Sequence, residues 1–593
     1  MSPLLSVPVC SPAVIFILGG LMIPLVKGRL KSVWMLALPI AAFAILLMIP
    51  EGKHWGVGFL DYTLILGNVD RLSRAFGIIF TIVTFIAVLF ALKVKEDSQH
   101  MAGFIYAGSA LGVVFAGDLF TLYVFWELMA IASTFLILAR RTAAARAAAY
   151  RYILVHIAGG LFLLAGMVLH YQSVGSLLIS PLALESLPGI LIFIGVAVNA
   201  AIPPLHPWLQ DAYPEATVTG AVFLSAFTTK SAVYVMARIY PGAELLIWLG
   251  ALMTAFPIFY AVLENDIRRV LSYSLMNQVG FMMVGVGIGT PLAINGTVAH
   301  AFCHILYKAL LFMSTGAVLH QTGKIRCTDL GGLYKTMPLT CLFCMIGSAS
   351  ISAFPLFSGF VSKSMIISAA GHHHLVAVWL ILQFASAGVV DHAGIKVPFF
   401  TFFAHDSGLR PTEPPANMLT AMGLAAFLCI AICIYPHPLY RILPNPDAAY
   451  IPYTAAHVIG QLQLLMFGAL AFCLLILSGF YPAELRALNL DTDWFYRRGF
   501  AWLYRMADRG FNNLNRVCNK LIAIQSTAAI CRTAAGLPGI VSTYLYRALV
   551  AKGHSASASG RHQTGLKRGG GDLPIGLSAA LAALFIVIIF LFM

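Results

Sequence analysis

What most restricts the fold of this sequence is a succession of long apolar runs. Sixteen stand out, at 12–28, 33–50, 72–93, 101–117, 118–138, 150–171, 188–203, 217–240, 243–264, 268–289, 293–319, 338–370, 375–404, 416–436, 457–480 and 574–592. A helix of about 20 residues crosses the ~30 Å of hydrocarbon in a bilayer, and most of these runs have that length. The run 338–370 is too long for one crossing and contains Pro355, so a break is expected there. Hydrophobic residues make up 60% of the 593-residue chain and charged residues 10%, against about 25% charged in a soluble domain. No soluble core holds that surplus. The chain reads as an all-α polytopic membrane protein with about sixteen transmembrane helices.

The formal net charge of +14 follows from loop composition and needs no nucleic acid. Basic residues collect at Lys27, Arg29 and Lys31, at Arg140, Arg141, Arg146 and Arg151, and at Lys324, Arg326 and Lys335. These loops share one side if the N-terminus is outside, as the positive-inside rule requires. The ten cysteines are scattered. Cys341 and Cys344 form a C-x-x-C within an apolar run, without a second pair, and read as small apolar residues.

Five regions follow. Residues 1–100 form an N-terminal three-helix region with a polar excursion near 51–71, and 101–404 hold nearly all the membrane-embedded charge. Residues 405–480 add two spans. Residues 481–572 begin with DTDWFYRRGFAWLYRMADRGFNNLNRVCNK, whose interleaved aromatic and basic residues suit an amphipathic helix lying along a membrane, and end in a flexible linker. Residues 573–593 hold the terminal span. A long surface helix tethered by a last span reads as a strap across neighbouring helices or subunits.

Ionisable groups inside the spans are costly, by ~2.5–3.5 kcal/mol each on insertion scales, and so point to function. Glu127 lies in the fifth span and Lys230 in the eighth. His300, His304 and Lys308 recur every four residues and share one face of the eleventh. Lys363 follows the break in the twelfth, and Lys396 lies four residues after His392 in the thirteenth. A single buried pair is compatible with a structural role. A series of acid, lysine and histidine groups across several helices is how a proton relay is built. The H-x-x-x-H spacing lacks the glutamate of H-E-x-x-H, so no metal is expected.

Helix breakers point the same way. Pro203 and Pro204 follow the seventh span, and Pro355 and Gly359 interrupt the twelfth. Backbone groups freed at membrane depth are tolerated only inside protein or around water. Paired interruptions in two halves of a chain suggest inverted repeats, here about 101–240 and 243–404.

The stretches DLFTLYVFWELM, PLHPWLQDAYPEATVTGAVFLSAFTTK, HAFCHILYKALLF and FSGFVSK resemble the antiporter-like membrane subunits shared by Mrp-type Na+/H+ antiporters (their D and A types), respiratory complex I and membrane-bound hydrogenases. The likeness is close over about 72–404, and the strap resembles the lateral helix of distal subunits. It implies that Glu127 modulates a neighbouring lysine. It further implies that Lys230 lies on the connecting axis, that His300, His304 and Lys308 form a wire, and that Lys363 serves the exit side. The family's seventh-helix lysine is replaced here by Asn199, and Gln210 stands where a proline is usual. Asparagine carries no proton, and Lys396 is a candidate substitute.

The sequence shows no Rossmann fingerprint, P-loop or cluster-binding cysteine set, so no cofactor or catalytic residue is expected and redox energy would come from partners. The reading is a proton-translocating subunit of a multi-subunit cation/proton antiporter or complex I-like pump, at most part of a translocase such as NADH:quinone oxidoreductase or a membrane-bound hydrogenase. It would move H+, with Na+ as the candidate counter-ion, in a prokaryotic cell (inner) membrane, beside other membrane subunits and lipid. The alternative is a structural subunit that lost pumping in one half-channel, with Asn199 as its mark.

Overall fold

The structure, a computed structural model, describes residues 10–551 apart from 61, 483, 486–488, 490 and 493. The expected span at 574–592 and most of the linker before it lie outside the described residues. The chain divides into two units, Met1–Asp493 and Trp494–Met593.

The first unit is a helical bundle. Its elements are α1 (Pro12–Leu21), α2 (Gly28–Met48), β1 (Gly52–Phe59), β2 (Tyr62–Val69), α3 (Arg71–Ala91), α4 (Asp97–Phe115), α5 (Leu119–Leu138), α6 (Ala143–Val174), α7 (Leu187–Ala200) and α8 (Pro207–Ala212). There follow α9 (Val218–Ala226), α10 (Thr228–Ile239), α11 (Glu244–Leu263), α12 (Ile267–Ile288), α13 (Pro291–Thr322), α14 (Pro338–Ile351) and α15 (Ser358–His372). The last are α16 (Val376–Phe403), α17 (Ala416–Ile434), α18 (His437–Arg441) and α19 (Ala455–Leu477). Among the described residues, 11 helices are long and apolar enough to cross a membrane, counting α9 and α10 together, and α1, α7 and α14 are shorter apolar helices. This is a multi-pass membrane protein.

The central helices are buried all round. The apolar windows of α9–α10, α12 and α13 are 100%, 94% and 94% buried, whereas that of α19 is only 17% buried. A helix that is apolar on every face needs either protein or lipid on every face, so α12 and α13 form the axis and α19 the rim.

The polar excursion is a two-stranded antiparallel hairpin, pairing Gly52 with Val69 through to Phe59 with Tyr62. Asp118 fixes it to the bundle. Its carboxylate caps α5 by accepting from Thr121 N at 2.7 Å and also accepts from Ile65 N on β2 at 2.7 Å. Asp70 and Ser73 form a capping box on α3. Arg238 of α10 reaches the Asp70 carboxylate with two bonds, at 2.5 and 2.8 Å. Burial works against the charge, but Arg238 and Ser73 hold the Asp70 carboxyl below its ordinary value.

Breaks occur at 201–206, at Phe227 and at 352–357. The first and last carry the prolines that the sequence singled out. The interruption at Phe227 has no proline or glycine to announce it. A further departure from regular helix lies inside α16, where Val390–Ile395 and Phe399–Phe403 are π-helical around Lys396.

In the second unit, helix runs from a π turn at Phe495–Gly499 through α20 (Phe500–Cys518) and a π stretch at Asn519–Ser526 to α21 (Thr527–Ala551). Leu503, Met506, Leu514 and Val517 share one face of α20, and Arg505, Arg509 and Arg516 the opposite one.

Candidate ion-translocation site

Among the described residues, the buried lysines are Lys230, Lys308, Lys363 and Lys396, and the ammonium groups of all but Lys308 bond to carbonyls near a helix end. The last four carbonyls of a helix have no partner in the helix and carry its negative dipole end. Lys230 Nζ donates to the Ser225 carbonyl at 2.7 Å, released by the break at Phe227. Lys363 Nζ donates to the Ile351 carbonyl at 3.0 Å, the last residue of α14. Gly359 makes that approach possible, because a Cβ there would strike the Ser350 carbonyl. Lys396 Nζ closes the C-terminal end of α11, donating to the carbonyls of Ala261, Val262 and Glu264 at 3.3, 2.6 and 2.8 Å, and pairs with Glu484 at 2.8 Å. Burial lifts the nearby Glu264 carboxyl, in the link between α11 and α12, to about 7, with Arg269 opposing. The breaks thus supply the oxygens that let ammonium groups stay inside.

Between α12, α13 and α15 runs a chain of side-chain hydrogen bonds. Lys308 Nζ donates to Ser274 Oγ. His300 lies with Nε2 3.1 Å from Gln278 Oε1 and Nδ1 3.1 Å from Ser362 Oγ. Tyr307 OH donates to the same Gln278 oxygen at 3.1 Å. The direction of this chain is fixed from one end. Asn277 Nδ2 donates to the Thr254 carbonyl, which can only accept. Asn277 therefore turns its oxygen to Gln278 Nε2, 2.5 Å away. Gln278 then presents Oε1 to His300, so the neutral imidazole carries its hydrogen on Nε2 and turns its lone pair to Ser362. His304 is fully buried, its ring 6.2 Å from that of His300 and 5.2 Å from that of Tyr307, and its nitrogens find no partner among the described residues.

Lys363 is 1% exposed and is reached by a cavity of about 840 Å³, lined in part by Ser364, Gln383, Thr454, His457 and Gln461. Its ammonium also lies 5.2 Å from the centroid of the Phe281 ring.

The first half of the bundle is arranged differently. Glu127 is half-buried on α5, and its buried Oε1 rests against Gly160 of α6 without a hydrogen-bond partner among the described residues. Asn199, in the last turn of α7, is 1% exposed, and neither end of its amide finds a partner among the described residues. Gln210 is buried on α8, its Nε2 3.6 Å from Met276 Sδ and its oxygen unpartnered among the described residues. Pro203 and Pro204 lie in the link from α7 to α8, and Pro355 in the link from α14 to α15.

The structure thus brings His300, His304, Lys308 and Lys363 to one seam with Gln278, Tyr307, Ser274, Asn277 and Ser362, none of which the sequence analysis singles out. A signal for some of them exists: SLMNQ sets Ser274, Asn277 and Gln278 within little more than one turn of an apolar span. Lys396 is held at a different place, by carbonyls of α11 and a carboxylate from the segment after α19.

Comparison with known proteins agrees with this architecture. Residues 116–388 match a family described as NADH:quinone oxidoreductase/Mrp antiporter, TM. The chain is 30% identical over 410 residues to a probable K+/H+ antiporter A/B subunit of Rhizobium meliloti (strain 1021), covering 64% of this chain and 40% of that one. It is 31% identical over 407 residues to NAD(P)H-quinone oxidoreductase chain 5 of Picosynechococcus sp. (strain ATCC 27264 / PCC 7002 / PR-6), covering 62% of this chain and 60% of the other. The chain thus spans about half the length of these curated relatives. Its fold superposes on a chain of the Mrp complex from Dietzia sp. DQ12-45-1b with a TM-score of 0.74 at 22% identity, covering 88% of this chain and 62% of that one. Residues 116–388 belong to the antiporter-like membrane family shared by NADH:quinone oxidoreductases and Mrp antiporters.

Proposed function

We propose that this chain is a proton-translocating membrane subunit of a multi-subunit cation/proton antiporter or complex I-like pump. The observation that carries the reading is the seam of titratable side chains Lys308, His304, His300 and Lys363, buried in the bundle axis and joined in part through Ser274, Gln278 and Ser362. Structural burial of that many ionisable groups is expensive, and a path that loads and releases protons accounts for retaining them. Lys230 extends the path toward the first half, and Lys363 meets the outlet at the cavity bounded by α15, α16 and α19.

The breaks at 201–206 and 352–357 fall at corresponding points of two segments, 101–240 and 243–404, which fits a pair of inverted repeats within a sixteen-helix protein. Other membrane subunits of a prokaryotic cell membrane would stand beside it, with Na+ or K+ as the counter-ion. The name of the Rhizobium relative gives K+ weight beside the Na+ that the sequence suggested. A structural role without transport is the second reading, favoured by Asn199 and its unpartnered amide.

The test is ion flux in vesicles containing the assembled complex, read with H+, Na+ and K+ indicators. Lys363→Ala should abolish H+ movement while the complex still assembles. Flux at the wild-type rate would refute the transport reading and leave the structural one.

A further inference from the structure

The proposed path raises a question in the first half of the bundle. Asn199 stands where a lysine would hold the proton opposite Glu127, and Lys396 is bound by three carbonyls and Glu484. Another group, on the neighbouring helix α6, has the properties of a carrier.

His156 lies on α6 at 1% exposure. Its Nδ1 is 3.0 Å from the carbonyl of Tyr152, one turn earlier on the same helix. A carbonyl only accepts, so Nδ1 bears the hydrogen and the lone pair is on Nε2. That Nε2 is buried and finds no hydrogen-bond partner among the described residues. A histidine kept only for packing would not be expected to bury a free acceptor, since an unmet polar atom costs ~1–3 kcal/mol. The ring is stacked on Tyr152 at 4.0 Å between centroids and meets the edge of Trp208 at 4.6 Å.

These contacts place His156 on the stretch of α6 that packs toward the end of α7. Trp208 Nε1 donates to the carbonyl of Val198 at 2.8 Å, and Val198 precedes Asn199. One turn further along α6 is Gly160, against which Glu127 Oε1 rests. Gly159, beside it, packs on the Val198 side chain. The imidazole thus lies one turn before the α6 glycines that meet Glu127 of α5 and Val198 of α7.

We propose that His156 is the proton-carrying group of the first half, in place of the missing lysine. Nε2 takes a proton from water and returns it by the same nitrogen, because Nδ1–H stays on the Tyr152 carbonyl. The imidazole is then single-ended, as a lysine ammonium is, and Glu127 supplies the negative charge that favours its loaded form. This inference rests on the transport reading above.

The experiment uses the full chain in its complex, in vesicles, with an H+ indicator. His156→Gln should lower H+ flux by about tenfold or more, against the ~10²–10⁴-fold that one acid–base group contributes where its step limits the rate, with the complex intact. Adding Asn199→Lys to His156→Gln should restore most of that flux, which a packing role would not allow. Flux within about twofold of wild type in His156→Gln, or a loss that Asn199→Lys leaves unrestored, overturns the proposal. If His156→Gln does not assemble, His156→Asn takes its place. In the complex labelled with 15N-histidine, the resonance that the substitution removes should report an Nδ1–H tautomer, and an Nε2–H tautomer also overturns the proposal. Lys363→Ala run alongside separates the two readings. If it too leaves flux intact, the transport reading has failed. If it abolishes flux and His156→Gln does not, only the role of His156 falls.

Discussion

The seam between α12 and α13 and the region between α5, α6 and α7 handle buried polarity in opposite ways. On the seam, every titratable side chain except His304, whose nitrogens find no partner among the described residues, is hydrogen-bonded: Lys308 to Ser274, His300 to both Gln278 and Ser362, Tyr307 to Gln278, Lys363 to the Ile351 carbonyl. In the first region, Glu127 Oε1, His156 Nε2 and both atoms of the Asn199 amide meet no side-chain partner among the described residues. A bonded network has one arrangement and is expensive to disturb, whereas isolated polar groups depend on water to be connected. The first arrangement holds its direction by geometry. The second is adjustable.

The largest expected effect tests that contrast directly. His300→Gln removes a ring bonded at both nitrogens, and H+ flux should fall by about 100-fold, the low end of what one acid–base group contributes. Glu127→Gln removes a carboxylate whose buried oxygen has no hydrogen-bond partner among the described residues, and should cost about tenfold or less. Vesicle flux measured side by side decides; equal losses would break the distinction between a bonded and a hydrated segment.

Next in size is Asn277→Leu. Asn277 has no hydrogen bond to a histidine or lysine among the described residues, yet its bond to the Thr254 carbonyl sets the direction of Gln278 and through it the tautomer of His300. Freed of that anchor, Gln278 can turn over and offer His300 a donor. Flux should fall several-fold, with thermal stability lowered by about the 1–3 kcal/mol of an unmet buried acceptor. Unchanged flux would mean that direction along the seam is immaterial.

Gly160→Ala follows, because a Cβ there would land on Glu127 Oε1 and push the carboxylate out of its place. Flux should fall about threefold, less than for Glu127→Gln, since the charge survives and water can still reach it. A larger loss than in Glu127→Gln would show that Glu127 is held as rigidly as the seam.

Much of this is legible in the residues. Apolar runs of membrane length give the spans, and the four-residue repeat of His300, His304 and Lys308 gives the face on which they meet, because both patterns are set by helix geometry. Pro355 marks its break through a missing N–H. The break at Phe227 is hidden. There the lysine itself compensates the loss of helix by bonding to the freed Ser225 carbonyl, and nothing in SAFTTK announces it. His156 escapes a reading of the sequence for a related reason: one histidine in an apolar run has no periodic partner, and only the orphaned nitrogen marks it out. The hairpin of β1 and β2 depends on a long-range bond from Ile65 to Asp118, invisible to local patterning.

The smallest expected effect concerns what holds α11, and so Thr254, in register with the seam. Lys396 caps the end of α11, and Glu264 follows it, with the Glu264 carboxyl raised by burial to about 7 from an ordinary 4.5. Between those values the folded protein keeps a proton that the unfolded chain has lost. Stability contributed by that proton is therefore complete below about 4.5, declines as pH rises through the interval, and is gone above about 7. Asp266, two residues on, is also raised by burial and adds a decline of the same sign. In detergent the wild-type complex should lose a few degrees of Tm between about pH 5 and 7.5. Glu264→Gln, which is neutral throughout, should remove most of that slope and leave only the part belonging to Asp266. Flux should not change, because Glu264 lies outside the seam and outside the region around Asn199. A slope as steep as the wild type's would show that Glu264 is ionised in the folded protein, held by Arg269 at 3.8 Å and by Lys396. The end of α11 would then be an ion-pair cluster, a third way of burying charge beside the bonded seam and the hydrated region.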